Sequence, residues 1–502
     1  MKKILSILFV LIASGFAHAH VGSPDVYYEG DAGPYHLFVT VRLPQVVPGI
    51  AEMQVRSASP DVQNVQVVLL RLTGPGSNLP SIPDVARRSK DDPQFFVSNL
   101  WFMEFGALQV RIDVDGAKGK AQLSVPVASF ARQALSMSQG MRSLGALFLV
   151  LLTLSVVPIS GAIIRYCTVT PGENPQAANK RRSWTVMAIV MMVAVVLLYL
   201  NRALWNEEAS TYNRSVELLK PPRAETKLMD GNRLVIRPAT QLLVPVAGMG
   251  RTTREVKMEE VIPDHGHVMH LFLIGMPGME KMWHLHPDRA EDGSFAVRLP
   301  EMPAGKYQLF ADIVDKNGFP WTLVADMDLP HIAGSPLSGD DSDWTGDRLT
   351  TPLLETTIAR LPDEARIVWE RDDLPLKANS PASFKFRVEG KDGLPARDLE
   401  PYMGMAGHAE IVCSDLSVFA HIHPNGSVSM AALDLAQAGL MTQPAPGGPT
   451  MAMAMEMARS SSKLPSELSF PYGFPHAGDY RIFVQIKRSG RVQTVAFDAH
   501  VQ

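Results

Sequence analysis

The sequence predicts a mainly β protein, three β-sandwich domains strung around a two-helix transmembrane hairpin. Three observations carry this. Short runs of alternating apolar and polar residues, such as Leu37, Val39, Val41 and Leu43 on one face, recur with Gly, Pro and Ser turns between them. Two stretches within 143–164 and 183–204 are apolar, each near the ~20 residues needed to cross a hydrocarbon core. A chain of 502 residues exceeds what one hydrophobic core organises, and suggests roughly three domains.

The elements follow in order. Lys2 and Lys3, a short apolar run and Ala17-His18-Ala19 form a secretory signal peptide over 1–19, and cleavage would leave His20 first. A first sandwich is expected over 20–130, with a linker at 128–142. The loop 165–182 between the apolar stretches carries Arg165, Lys180, Arg181 and Arg182 against the single acid Glu173. The positive-inside rule therefore makes that loop cytoplasmic and everything else extracytoplasmic, with Pro158 inside the first span. An exit linker at 206–227 leads to a second sandwich over 228–330. A Gly-, Ser- and Asp-rich linker at 331–348 leads to a third sandwich over 356–502, interrupted at 437–466 by an insert containing Met451, Met453, Met455 and Met457.

Composition narrows the function. With 47 basic against 51 acidic residues, the chain lacks the excess that holds a nucleic-acid backbone, so nucleic-acid binding is not expected. Cys167 and Cys413 fall on opposite sides of the expected membrane and cannot pair within one chain; Cys413 is expected to be a core thiol. No nucleophile elbow, phosphate loop or HExxH helix is present, and no enzyme activity is expected.

The second and third domains repeat one another. His270 precedes His284-Leu285-His286-Pro287 and then 304–313; His408 precedes His421-Ile422-His423-Pro424 and then 477–486. Residues i and i+2 of a strand share a face, so each HxH presents two imidazoles side by side. Hairpin pairing sets His270 opposite His286, Phe272 opposite His284 and Ile274 opposite Met282. In the other copy it sets His408 opposite His423, Glu410 opposite His421 and Cys413 opposite Val418. Each domain is thereby expected to hold one metal ion on its own trio, His270, His284 and His286 or His408, His421 and His423. The thioethers of Met282, Met403 and Met405 tilt the choice toward copper, with zinc as the other candidate. Glu410 is expected to orient an imidazole from outside the ligand set, and His265 and His267 are either auxiliary ligands or exposed loop residues. A separate copper brace at His20, completed by His36 with Asp113 or Asp115 nearby, would instead make the chain a copper oxygenase.

The run Asp392-Gly393-Leu394-Pro395, then Leu399 to His408 with Met403 and Met405, then Phe419-Ala420-His421-Ile422-His423-Pro424 resembles the YtkA-like family of exported β-sandwich domains. That family is related in shape to FixH-like and CopC-like proteins. The resemblance is best over 380–498, weaker over 261–313 and faint in the first domain. It implies immunoglobulin-like sandwiches with a His/Met face and a role in copper handling. The expected protein is thus a two-pass component of the bacterial plasma membrane that binds copper outside the cytoplasm for storage, delivery or tolerance. Its expected partners are the lipid bilayer and copper-handling or respiratory-oxidase assembly proteins. The competing expectation is a structural or assembly module whose histidines only pack.

Overall fold

A computed structural model describes residues 20–21, 25–78, 82–131, 133, 139–218, 220–245, 253–337, 339–344, 346, 356–372, 374–441 and 464–502. The expected signal peptide and the four methionines at 451–457 lie outside these residues. The fold is mainly β, built from antiparallel sheets that pack face to face around three apolar cores. Two compact units divide the chain, 131–218 forming one and the rest the other.

Alternation explains the first core. In the Tyr35–Arg42 strand, Leu37, Val39 and Val41 turn inward and are buried. They pack with Val110, Ile112 and Val114 of the Gly106–Gly116 strand in the opposing sheet. The second core joins Leu271 and Leu273 to Leu234 and Ile236, and the third joins Ile411 and Ile482 to Ile367 and Phe386. Cys413 is buried in that third core.

The smaller unit holds two helices, Gln139–Tyr166 and Ala177–Leu218, each long and apolar enough to cross a membrane. They pack at Gly161, whose carbonyl accepts a 2.7 Å hydrogen bond from Ser183 Oγ. The second helix runs through 206–218, where a linker was expected. Its polar end is Ala-, Glu- and Leu-containing and lacks Gly or Pro, so nothing stops the helix.

The second and third domains meet through an apolar layer. Phe272, Ile274, Met282 and Phe310 face Val412, Phe419 and Phe483, and the rings of Phe310 and Phe419 stack at 4.1 Å. Arg481, fully buried, is held by Asp498 at 2.7 and 2.9 Å and donates to the Gly278 and Met279 carbonyls at 2.8 Å. The expected linker at 331–348 is no free tether. Its residue Ser342 exchanges backbone hydrogen bonds with His284, and Lys487 reaches Asp340 at 3.0 Å. The third domain also touches the first. Ser427 N–H donates to Tyr27 O, and the helix Met430–Met441 sets Leu433 against the first core.

Candidate metal centre

Strand parity brings the histidines to the domain interface. The observed pairs are Phe272 with His284, Ile274 with Met282, and Glu410 with His421. His270, His284, His408, His421 and His423 therefore turn away from their own cores and make ring contacts with histidines of the other domain, and His286 stacks on His267 beside them. Two more come from a tight turn. Asp264 and His267 close it by mutual backbone hydrogen bonds of 2.8 and 2.9 Å, with His265 and Gly266 at φ 51° and 86°.

The rings sort into two groups in which one nitrogen from each member lies within 4.8 Å of the others: His270, His284 and His286, and His265, His408 and His423. The first is the trio expected from sequence. The second is not, because His265 crosses from the second domain and takes the place expected for His421. His265 Nε2 lies 3.2 Å from His423 Nε2. His421 instead sits between the groups, its ring 5.3 Å from His270, 5.8 Å from His284, 5.4 Å from His408 and 4.6 Å from His423.

Hydrogen bonding fixes which nitrogens are free. His270 donates through Nε2 to the Asp264 carbonyl at 3.0 Å, leaving Nδ1 as a lone pair 3.1 Å from His284 Nε2. His284 donates through Nδ1 to Gln485 Oε1 at 2.8 Å, so its Nε2 is a lone pair too. His286 donates through Nδ1 to Asp341 at 2.9 Å and its buried Nε2 has no partner. In the other group His423 donates through Nδ1 to Val428 O at 2.9 Å, so its Nε2 is a lone pair. That lone pair faces His265 Nε2, and both ring nitrogens of fully buried His408 are unpartnered. Lone pairs aimed at one another repel unless a cation lies between them. Nitrogens 2.0–2.1 Å from a tetrahedral ion sit about 3.3 Å apart, close to the spacings seen here.

Electrostatics keeps the rings ready. Burial, then neighbouring imidazoles, drives His270, His284, His408 and His423 well below the ordinary histidine range. Burial takes His421 to about 3 and His265 to about 2. All are neutral at pH 7 and can donate lone pairs. Burial likewise raises the Asp312 and Asp264 carboxyls to about 7.

Several expected residues lie elsewhere. Glu410 orients no imidazole; both carboxylate oxygens are buried without a partner, because its cross-strand neighbour His421 turns Nδ1 toward Asp312, 3.5 Å away. Met282 is packed in the apolar layer between the domains. Met403, at φ 49°, packs with Tyr402 and Val492, and Met405 closes the same turn. His36 spends Nδ1 on Asp31 at 2.7 Å and Nε2 on Glu29 at 3.0 Å, outside the histidine pocket. The His20–Val21 backbone runs parallel to Val418 and Phe419 of the third domain, not beside His36 in its hairpin with Asp31. Sequence reasoning missed the primacy of His265 and the part of Asp341, Gln485 and Asp312. The signal for His265 was a spacing: Asp264-His265-Gly266-His267 begins six residues before His270, as Tyr402-Met403-Gly404-Met405 begins six before His408.

A family model described as a domain of unknown function (DUF8832) matches residues 359–502, the third sandwich. A search of curated proteins finds no match. Among solved structures the chain is similar to an ICAM-5 D1-D4 ectodomain fragment, at 8% identity, 93% of this chain, 77% of that one and TM-score 0.14. It is also similar to Salmonella alpha-2-macroglobulin, at 10% identity, 96% of this chain, 24% of that one and TM-score 0.18. Dimeric latent PorU from Porphyromonas gingivalis gives 9%, 95%, 34% and 0.14. At such TM-scores these likenesses carry no argument about this chain.

Proposed function

We propose that this chain is a membrane-anchored metal-binding protein that holds copper in the histidine pocket outside the cytoplasm, for storage, delivery or tolerance. One observation carries the proposal: the lone pairs of His270 Nδ1 and His284 Nε2 are locked facing each other by a hydrogen bond on the far nitrogen of each ring. A packing role has no use for that arrangement, since apolar side chains of similar size would fill the space without lone-pair repulsion or unpartnered nitrogens. Imidazole sets suit copper and zinc, and copper heads the divalent series. The two apolar helices support a two-pass anchor, and the basic residues Lys180, Arg181 and Arg182 between the spans support a cytoplasmic loop with the sandwiches outside. A delivery role implies a partner that takes the ion, in the class of copper-handling or oxidase-assembly proteins.

The test is elemental analysis of the full chain, purified in detergent, stripped with chelator and reloaded with copper and zinc in competition. Copper retained through desalting by the wild type, and lost from a chain with His270, His284, His408 and His423 all replaced by Ala, is the expected result. A wild-type chain that retains neither metal sinks the proposal.

A further inference from the structure

The two halves of the histidine pocket are related by an internal two-fold. Asp312 of the second domain and Gln485 of the third occupy matching positions, eight residues into 304–313 and 477–486. Each reaches across the interface to the middle histidine of the other domain: Gln485 to His284 at 2.8 Å, and Asp312 to His421 at 3.5 Å. Each is also braced by the threonine opposite it on the next strand, Asp312 by Thr322 at 2.5 Å and Gln485 by Thr494 at 3.0 Å. Reciprocal contacts of this kind are the signature of an isologous interface.

The two-fold is broken where ligands would bind. At the position of His265, the third domain has Met403, so only one imidazole crosses from a turn into the other domain's group. At the position of Phe272, which stacks on His284 at 4.2 Å, the third domain has the unpartnered carboxyl of Glu410. His421, with a buried and unpartnered Nε2, is within ring contact of both groups.

We propose that the pocket is one two-ion centre shared by the two domains, not two sites each built from a single domain. One ion sits on His270, His284 and His286 of the second domain. The other sits on His408 and His423 of the third domain with His265 of the second, so that it fastens the domains together. His421 lies between the two ions. The proposal rests on the metal-binding function above and specifies its stoichiometry and its ligand ownership.

The experiment counts copper per chain in the full-length protein, loaded with copper(I) against a chromogenic competitor chelator. The wild type is expected to hold two ions, and His265→Ala, a change in the second domain, is expected to fall from two to one by emptying the third domain's site. His270→Ala is also expected to fall to one. A wild type that saturates at one ion, or a His265→Ala chain that keeps two, overturns the two-ion centre while leaving copper binding standing. No ion in the wild type overturns both. A second readout needs no variant: the wild type loaded with copper(II) is expected to give a half-field electron paramagnetic resonance signal from coupled ions. Strong antiferromagnetic coupling would instead silence both ions; two bound ions that give the full signal of isolated copper(II) overturn the shared centre.

Discussion

His408 is buried to zero exposure with Tyr402 against its ring edge, and neither ring nitrogen has a partner. An imidazole in that state costs the metal-free fold, since burying an unsatisfied polar group forfeits about 1–3 kcal/mol. His408→Leu should therefore raise the denaturation midpoint of the metal-free chain, by about 1–3 kcal/mol, while abolishing metal at that site. A variant that melts lower and keeps its metal would assign His408 to packing. Acid should act through the same rings. An imidazole held neutral in the folded chain but free to bind a proton near pH 6.5 when unfolded loses stability as pH falls below that value. His265, His267, His270, His284, His408, His421 and His423 all behave so, down to about 3 for His421 and about 2 for His265. Five carboxyls raised by burial oppose them, Asp264 and Asp312 to about 7 together with Glu410, Asp315 and Asp343: they hold protons in the fold that the unfolded chain releases above its ordinary carboxyl range, so their contribution falls as pH rises. The imidazoles outnumber them, and the metal-free chain should lose stability on acidification from about pH 6.5. Denaturation across pH 7 to 4 in chelator checks this, and a midpoint that climbs toward pH 5 would contradict it.

Turns and connecting segments do as much for the centre as the strands that bear the ligands. Asp341, in a segment whose composition reads as a linker, accepts hydrogen bonds from both the backbone N–H and Nδ1 of His286, each at 2.9 Å. Asp341→Ala frees that ring to rotate and should weaken copper at the second domain's site about 10–100-fold, read by chelator competition; unchanged affinity would show that packing alone orients His286. The turn from His423 to Gly426 is tighter still. Gly426 has φ 121°, and a Cβ there would stand 1.9 Å from the Tyr27 carbonyl oxygen. Gly426→Ala should cost at least about 2 kcal/mol and loosen His423 with it, measured by denaturation of the full chain. Strand parity made the histidine face legible, because His284 and His286, or His421 and His423, must point the same way whatever the fold around them. It could not show that the two faces close on each other. His265 was marked only by its spacing from His270, because it sits in a turn, where no periodicity assigns a direction, and its group is completed by another domain. Glu410 was misjudged because pairing fixes what lies across the ladder and not where the neighbouring ring aims its nitrogen.

At the scale of the molecule, β-sandwiches were readable from alternation and the two helices from apolar length, while the extension of the second helix to Leu218 was not, since its polar end carries no apolar run to mark it. The apolar layer of Phe272, Phe310, Phe419 and Phe483 joins the second and third domains in one buried cluster. A fragment spanning 356–502 alone exposes its half of that layer, and should self-associate during size-exclusion chromatography, where a fragment spanning 220–502 keeps it covered. A monomeric, well-folded 356–502 fragment would show the layer to be dispensable. Thiol labelling tests the proposed orientation: Cys167 is exposed and Cys413 buried. An impermeant reagent on intact spheroplasts should leave Cys167 unmodified and reach Cys413 only after denaturation; outside labelling of native Cys167 would reverse the topology.

The internal two-fold bears on the history of the chain. In a homodimer of one-domain ancestors, any substitution appears twice, so both pockets would have to carry the same residue at the position now held by His265 and Met403. Joining the two copies in one polypeptide lifts that constraint. Each half can then mutate alone, as the pair Asp312 and Gln485 already shows, and inequivalent pockets become available without a second gene. A substitution such as Met403→His gives both turns an imidazole and makes the two pockets equivalent at that position in a present-day fold.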